Sequence, residues 1–223
     1  MTDQNIIDRF VVINHEFFGY KKLYLLISGI DIEKDNNSNI FGILNLAGHV
    51  CEHYVCVGQI HSFGLLIKDN IEQKVEMLKR LIDSLTILGI QEPRKIGISL
   101  EKLKGTDFKI IYYLVKDPRA RVEDMARYTK VTTKTVKRRL DNLITNNIIA
   151  FSTTFKPESI QGYILFHILL IGPSGSESKI FERLRCAHQT SSTEIEKSWL
   201  FIDKDIKIYQ NWIIDEVHKI DLN

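Results

Sequence analysis

Three short amphipathic segments within residues 106–145 constrain the fold of this chain more than any other feature. The first, residues 106–116, is stopped by Pro118, which has no amide hydrogen and biases the residue before it away from helical angles. The second, residues 122–128, is joined to the third by a turn at residues 129–131. Apolar residues recur at helical spacing in each segment, so the sequence predicts three helices that pack against one another.

The third helix is predicted to span residues 132–145, with the Thr132 hydroxyl as its N-cap. Its two sides differ in chemistry, because 3.6 residues complete one turn. One side is apolar and the other polar: the first consists of Val136, Leu140, Leu143 and Ile144, and the second of Thr133, Lys134, Lys137, Arg138 and Asp141. Asn146 and Asn147 are expected to end the helix, and the β-branched residues 148–154 to form a strand. The segment therefore predicts a winged helix-turn-helix.

Positive charge is concentrated in this part of the chain. Residues 101–150 contain 12 Lys and Arg against 6 Asp and Glu, a net charge of +6, whereas the whole chain carries only +2. A cationic helix face on such a scaffold can enter the major groove of double-stranded DNA. The sequence thus predicts a DNA-binding protein.

The candidate DNA-contacting residues lie in the third helix and just before it. Thr133, Lys134, Lys137 and Arg138 are placed to reach base edges, Arg121, Lys130 and Thr132 are placed to meet phosphates, and Thr135 completes the set. Arg139 flanks the apolar stripe, so both DNA contact and pairing with a carboxylate of the fold remain open for it. The alternative for the whole cationic face is that it is only solvated.

These residues resemble the Lrp/AsnC group of archaeal and bacterial transcriptional regulators. The resemblance lies in Asp107-x-Lys109-Ile110-Ile111, Arg121, Met125-Ala126, Val136-x-x-Arg139-Leu140-x-x-Leu143 and Asn147-Ile148-Ile149, and it continues to Gly162-Tyr163. In this chain the turn between the second and third helices is Thr129-Lys130-Val131, whereas the family often has a glycine there. The resemblance implies transcription regulation and a ferredoxin-like βαββαβ module, called RAM, that senses small effectors and assembles subunits.

A module of that kind is predicted before the helix-turn-helix. Strands are expected at residues 23–30, 50–57, 63–68 and 94–100, and helices at residues 39–46 and 71–85. The turn at Gly58 has His61 where the resemblance implies an aspartate. Gly58 and His61 are therefore the candidate effector-binding residues, with the effector's identity open.

An internal repeat suggests a second module of the same type. Residues 5–20 match residues 147–163 with one residue of slippage, and both stretches lead into an apolar strand, the second at residues 164–171. Further on, helices are expected at residues 178–188 and 206–218, with a strand at residues 198–202. The predicted fold is α+β. A wing-like strand and a RAM-like module occupy residues 1–100, a winged helix-turn-helix residues 101–155, and a second, truncated RAM-like module residues 156–223.

A histidine and cysteine constellation offers an alternative function. His49, Cys51 and His53 would share one face of an extended strand, with Cys56 and His61 following, and imidazole and thiolate are good transition-metal ligands. This pattern fits a metal- or haem-responsive sensor, or a protein similar to siroheme decarboxylases, which are relatives built from the same two kinds of module. The competing interpretation is that these residues belong to the core, and the favoured prediction includes no metal and no cofactor.

Other features narrow the functional classes. The chain has no nucleophile and base pair, phosphate-binding glycine loop or paired catalytic carboxylates, so an enzyme is not expected. No apolar run spans a bilayer and no Cys-x-x-Cys pair occurs, which favours a cytoplasmic protein with reduced thiols. We expect a transcriptional regulator that binds DNA as a homodimer or higher homo-oligomer joined through its sheets. The remaining rival is an assembly protein whose basic helix binds an acidic surface.

Overall fold

The structure is a computed structural model, and it describes residues 7–29, 38–91, 103–155, 166–173, 175–176, 178–180, 182 and 197–221. Helices and strands both contribute, as expected for an α+β chain. Among the described helices, none combines the length and the apolar character needed to cross a membrane.

Three helices form the helix-turn-helix close to the predicted positions. They are α3 (Gly105–Lys116), α4 (Val122–Thr129) and α5 (Thr133–Thr145). α3 begins where the Asp107 carboxylate accepts a hydrogen bond from the backbone amide of Lys104 at 2.8 Å, which satisfies an amide that the helix leaves open. The predicted end of α5 is confirmed, because Asn147 adopts a positive φ of 55°.

A two-stranded sheet joins the two stretches of the predicted internal repeat. β1 (Ile7–Ile13) pairs antiparallel with β6 (Ile149–Phe155), and β6 is the wing strand that follows α5. In the register, Ile7 faces Phe155 and Ile13 faces Ile149. β1, which was predicted to belong to the N-terminal module, therefore completes the wing of the helix-turn-helix. The repeat's first residues, 5–6, and its last, 156–163, lie outside the described residues.

The other strands form one six-stranded sheet, whose first four members come from the N-terminal part of the chain. The elements are β2 (Lys21–Ser28), α1 (Ser38–Ala47), β3 (His49–Cys56), β4 (Ile60–Ile67), α2 (Ile71–Leu81) and β5 (Leu85–Gln91). The order β5-β2-β4-β3 and the two intervening helices fit a ferredoxin-like βαββαβ module. Leu23, Leu25, Phe63 and Leu65 pack with both helices in a core of their own.

One prediction for this module, the end of its second helix, needs correction. The helix predicted at residues 71–85 ends at Leu81, and Leu85 instead begins β5, which pairs with β2. β5 was not predicted, and the strand predicted at residues 94–100 lies outside the described residues. Ile82 adopts an extended conformation and ends α2. The helical spacing of apolar residues that suggested a longer helix therefore continues past the end of the helix.

The C-terminal strands extend this same sheet. β7 (Phe166–Ile171) pairs with β8 (Lys197–Ile208), and β8 pairs in turn with β3, giving the order β5-β2-β4-β3-β8-β7. The helix predicted at residues 206–218 is wrong at its start, because residues up to Ile208 are strand and α6 (Trp212–Asp221) begins later. Of the helix predicted at residues 178–188, residues 178–180 and 182 are helical and the others lie outside the described residues.

In a second core, the helix-turn-helix packs against elements from the N-terminal and C-terminal parts of the chain. The short 3-10 helix His15–Phe18 and α6 contribute Phe18 and Trp212, whose rings meet edge to face with centroids 5.5 Å apart. The Phe18 ring also contacts the Phe108 ring of α3 at 6.2 Å. Because aromatic side chains bury large apolar areas, this cluster holds the three helices against the rest of the molecule.

Candidate nucleic-acid interface

The turn between α4 and α5 is tight although it contains no glycine. Lys130 adopts a left-handed conformation with φ 57°, and the backbone amide of Val131 donates to the carbonyl of Ala126 at 3.2 Å. Thr132 then caps α5, since its hydroxyl accepts from the amide of Thr135 at 3.3 Å. The predicted N-cap is confirmed, and Lys130 takes the conformation that a glycine usually provides.

Lys130 is therefore under local strain that its side chain does not relieve. A lysine in the left-handed region costs roughly 1–2 kcal/mol of folding free energy. Glycine removes this cost, but part of the gain in stability is lost because glycine has more conformational freedom in the unfolded chain. We expect Lys130→Gly to raise the free energy of unfolding by about 0.5–1 kcal/mol, measured by urea denaturation. Lys109→Gly, at an exposed position inside α3, is the control and should destabilise. No gain at position 130 would contradict this account of the turn.

The outward face of α5 is cationic and exposed, as the sequence predicted. Thr133, Lys134, Lys137 and Arg138 are all exposed, and Arg121, Lys130 and Thr132 are exposed beside them, whereas Thr135 is half-buried. Within the described part of the chain, Lys130, Lys134, Lys137 and Arg138 form no ion pair. Their charges are thus available to an external anion.

Two shallow depressions flank this face. One is lined by Lys134, Thr135, Lys137, Arg138, Asp141 and Asn142, and the other by α4 residues together with Lys130, Val131, Thr132 and Thr133. The opposite side of α5 is apolar, with Val136 and Leu143 fully buried. Ile144, which was predicted to face inward, is 40% exposed, so it lies at the edge of the apolar stripe.

Arg139 points into the fold. Its Nη1 donates to both carboxylate oxygens of Asp107, at 2.9 and 2.8 Å, and the two side chains are only 16% and 7% exposed. Of the two roles left open for Arg139, pairing with a carboxylate is the one present in the structure. The ion pair links α5 to the first turn of α3, so it fixes the orientation of the helix that carries Lys137 and Arg138.

The candidate effector residues occupy the hairpin between β3 and β4. β3 and β4 are joined by the three residues 57–59, of which Gly58 and Gln59 have positive φ angles of 84° and 58°. His61 is 5% exposed, and its Nδ1 lies 3.1 Å from Nε2 of His53. The imidazole of His61 thus faces the interior of the ferredoxin-like module, and only Gly58 lies in the exposed turn.

The predicted histidine and cysteine constellation is divided among different environments. The backbone register shifts between Val50 and Glu52, which breaks the expected alternation along β3. Cys51 is buried with its thiol 3.3 Å from the carbonyl oxygen of Gly64, whereas the His49 ring lies near Tyr20 and Asp215. His53 stacks on Phe63 at 4.3 Å. Only His53 and His61 of the predicted set are brought together.

Burial makes His53 a source of acid sensitivity. Desolvation, and then the neighbouring His61, lower the pKa of His53 from 6.5 to about 3. Between pH 6.5 and about pH 3, His53 binds a proton in the unfolded chain but not in the folded chain. The free energy of unfolding therefore decreases as the pH falls below 6.5. We expect stability to drop by up to about 2 kcal/mol between pH 7 and pH 5 because of this residue.

Urea unfolding at the two pH values tests the role of His53. His53→Gln should reduce the pH dependence by that amount. Equal pH dependence in wild type and His53→Gln would show that His53 is not the responsible group.

A different group of metal-ligating side chains was missed by the sequence reasoning. Cys56, His167 and Asp203 bring one donor atom each within 4.8 Å of one another. Asp203 lies between the strand predicted at residues 198–202 and the helix predicted at residues 206–218. The strand was not extended to Asp203 because charged residues, which predominate at positions 203–207, have low strand propensity. Only the pairing of β8 with β3 and β7 brings the three residues together.

The comparisons with known proteins agree with the geometry of α3, α4 and α5. The profile of the winged helix-turn-helix DNA-binding family matches residues 103–150. The search of curated proteins and the search of solved structures gave no significant match. The chain therefore contains a winged helix-turn-helix DNA-binding domain, which supports a role as a DNA-binding transcriptional regulator.

Proposed function

We propose that this protein is a sequence-specific transcriptional regulator similar to the Lrp/AsnC group, with α5 as its recognition helix. The observation that carries the proposal is the exposed face of α5, where Lys134, Lys137 and Arg138 are free of ion pairs within the described chain. The helix-turn-helix match and the ferredoxin-like strand order both support it.

Contacts with bases and phosphates come from different parts of this face. Thr133, Lys134, Lys137 and Arg138 lie in the N-terminal half of α5, which is the part of a recognition helix that meets base edges. Arg121 precedes α4 and Lys130 lies in the turn, so both are placed for phosphates on either side of the groove. Arg139 is omitted from the proposed contacts because Asp107 already binds it.

We propose that the functional unit is a dimer or a larger assembly of this chain. A single recognition helix contacts only a few base pairs, and two helices spaced about 34 Å apart reach successive major grooves on one side of DNA. The six-stranded sheet provides the assembly module, and an effector of small size is expected to act through it. Sedimentation of the protein with and without a duplex containing two half-sites tests this stoichiometry.

Selection of bound sequences from a random duplex pool tests the proposed function. We expect enrichment of a short motif, repeated as two half-sites, and binding to that motif at least about 1,000-fold tighter than to random duplex at the same salt concentration. Weak binding that is equal for every duplex would reject sequence-specific regulation. Binding to an acidic polypeptide in preference to DNA would instead support an assembly protein.

The enzyme and haem alternatives receive no support from the described geometry. His49, Cys51 and His53 have different neighbours, and the one close pair, His53 and His61, is buried among aromatic rings. We therefore propose no second function based on that constellation.

A further inference from the structure

Three potential metal ligands meet on one face of the sheet, on three adjacent strands. Cys56 of β3 and Asp203 of β8 are direct cross-strand partners. His167 of β7 is the partner of Phe201, two residues before Asp203, so the strand pleat places its side chain on the same face. Neighbouring and diagonal positions of this kind are within reach of one another across a sheet.

The side chains converge on Asp203. Its Oδ1 lies 2.7 Å from Nδ1 of His167 and 3.7 Å from Sγ of Cys56. Its second oxygen, Oδ2, is buried and has no hydrogen-bond partner among the described residues, although the side chain is only 1% exposed. A buried carboxylate oxygen without a partner is costly, so this atom has capacity for a further ligand.

The His167 ring is held in place by aromatic neighbours. Its centroid lies 4.4 Å from that of Tyr54 and 4.7 Å from that of Phe201. The His167 side chain is 23% exposed, whereas Cys56 and Asp203 are almost fully buried, so the group can be reached from solvent at the imidazole. The ligand atoms are therefore oriented by packing and remain accessible from one side.

The charges of this group favour a cation. The Cys56 thiol and the Asp203 carboxyl are buried beside each other, with Sγ 3.7 Å from Oδ1, and the His167 imidazole lies against the same carboxyl. A divalent ion would balance a thiolate and a carboxylate, and it would displace the thiol proton to solvent.

We propose that Cys56, His167 and Asp203 bind a divalent transition-metal ion, with zinc as the best chemical match. Thiolate, imidazole and carboxylate are all zinc ligands, and the thiolate disfavours magnesium and calcium. Metal–ligand bonds of about 2.0–2.3 Å place neighbouring donor atoms of a tetrahedron about 3.3–3.8 Å apart. The observed Cys56 to Asp203 distance fits this range, and the His167 to Asp203 pair must open by roughly half an ångström.

The bound ion would connect two parts of the chain that are distant in sequence. Cys56 belongs to the N-terminal ferredoxin-like module, whereas His167 and Asp203 belong to the C-terminal hairpin that extends its sheet. Metal binding therefore stabilises the attachment of the β7 and β8 hairpin to β3. Three protein ligands leave a fourth position for water.

Metal binding by the purified protein tests the proposal in the absence of DNA, so its outcome is independent of the regulatory function. After chelator treatment, exposure to zinc and dialysis, we expect one tightly held zinc ion per chain and a higher unfolding temperature. Cobalt should give an absorption band for charge transfer from thiolate to metal. Magnesium should produce none of these effects.

Substitutions distinguish metal binding at this site from metal binding by the other cysteines. Cys56→Ser should abolish the cobalt band, and Cys56→Ser and Asp203→Asn should each weaken zinc binding by at least the roughly 10- to 100-fold that outer-shell partners contribute. Cys51→Ala and Cys186→Ala should leave both signals unchanged. If Cys56→Ser fails to fold, as judged by circular dichroism, the partly exposed His167→Gln provides the same comparison. Zinc that is not retained by wild type, or is retained equally by these site variants, would overturn the proposal.

Discussion

Replacing both Lys137 and Arg138 with alanine is expected to weaken binding to the selected duplex by about 100-fold, because two cations that contact DNA are lost. Both side chains are exposed on α5 and neither forms an ion pair within the described chain, so the fold does not depend on their charges. The double variant also removes two positive charges from the groove, so the logarithm of the binding constant should depend less steeply on the logarithm of salt concentration. Fluorescence anisotropy titrations at several salt concentrations measure both quantities.

The chain provides a control with the same change in charge. Lys79 and Arg80 are also consecutive and exposed, but they lie on α2 of the ferredoxin-like module. Lys79→Ala with Arg80→Ala lowers the net charge equally and should leave affinity and salt slope close to wild type. Equal losses for the two double variants would mean that net charge attracts DNA and that α5 is not the reading helix.

The helix-turn-helix was predictable because its local signals agree with its tertiary packing. Pro118 stops α3, Thr132 caps α5 and Asn147 ends it, and each of these residues acts through backbone chemistry within a few positions. The exposed position of Lys137 follows from helical periodicity alone. What periodicity did not decide was the direction of Arg139 at the edge of the stripe, because that depends on where α3 places Asp107.

The sheet was less predictable, because its strand partners are distant in the sequence. β1 pairs with β6 across more than a hundred residues, and β8 joins β3 to β7. Four of the five residues 203–207 are charged, so their strand propensity is low. The bulge in β3 similarly separates the side chains of His49, Cys51 and His53, which an ideal alternation would have aligned. Sites built across such strands cannot be found from spacing.

Replacing Asp107 with alanine is expected to lower the free energy of unfolding by about 3–5 kcal/mol, because it leaves the buried charge of Arg139 without its partner. The same carboxylate also accepts the backbone amide of Lys104, so the first turn of α3 loses its cap as well. Asp107→Asn keeps an oxygen for the amide but removes the charge, and it should cost less than Asp107→Ala. Denaturant unfolding of the full chain measures these differences.

A double-mutant cycle with Arg139→Ala distinguishes a positioning role from DNA contact. If the two residues act as a pair, the double variant should be more stable than the sum of the single effects predicts, by about 1–3 kcal/mol. Arg139→Ala should then weaken DNA binding while leaving the salt slope unchanged, since the lost guanidinium met Asp107 and not a phosphate. A normal stability with a reduced salt slope would assign Arg139 to the DNA surface, and the orientation of α5 would then depend on its apolar side alone.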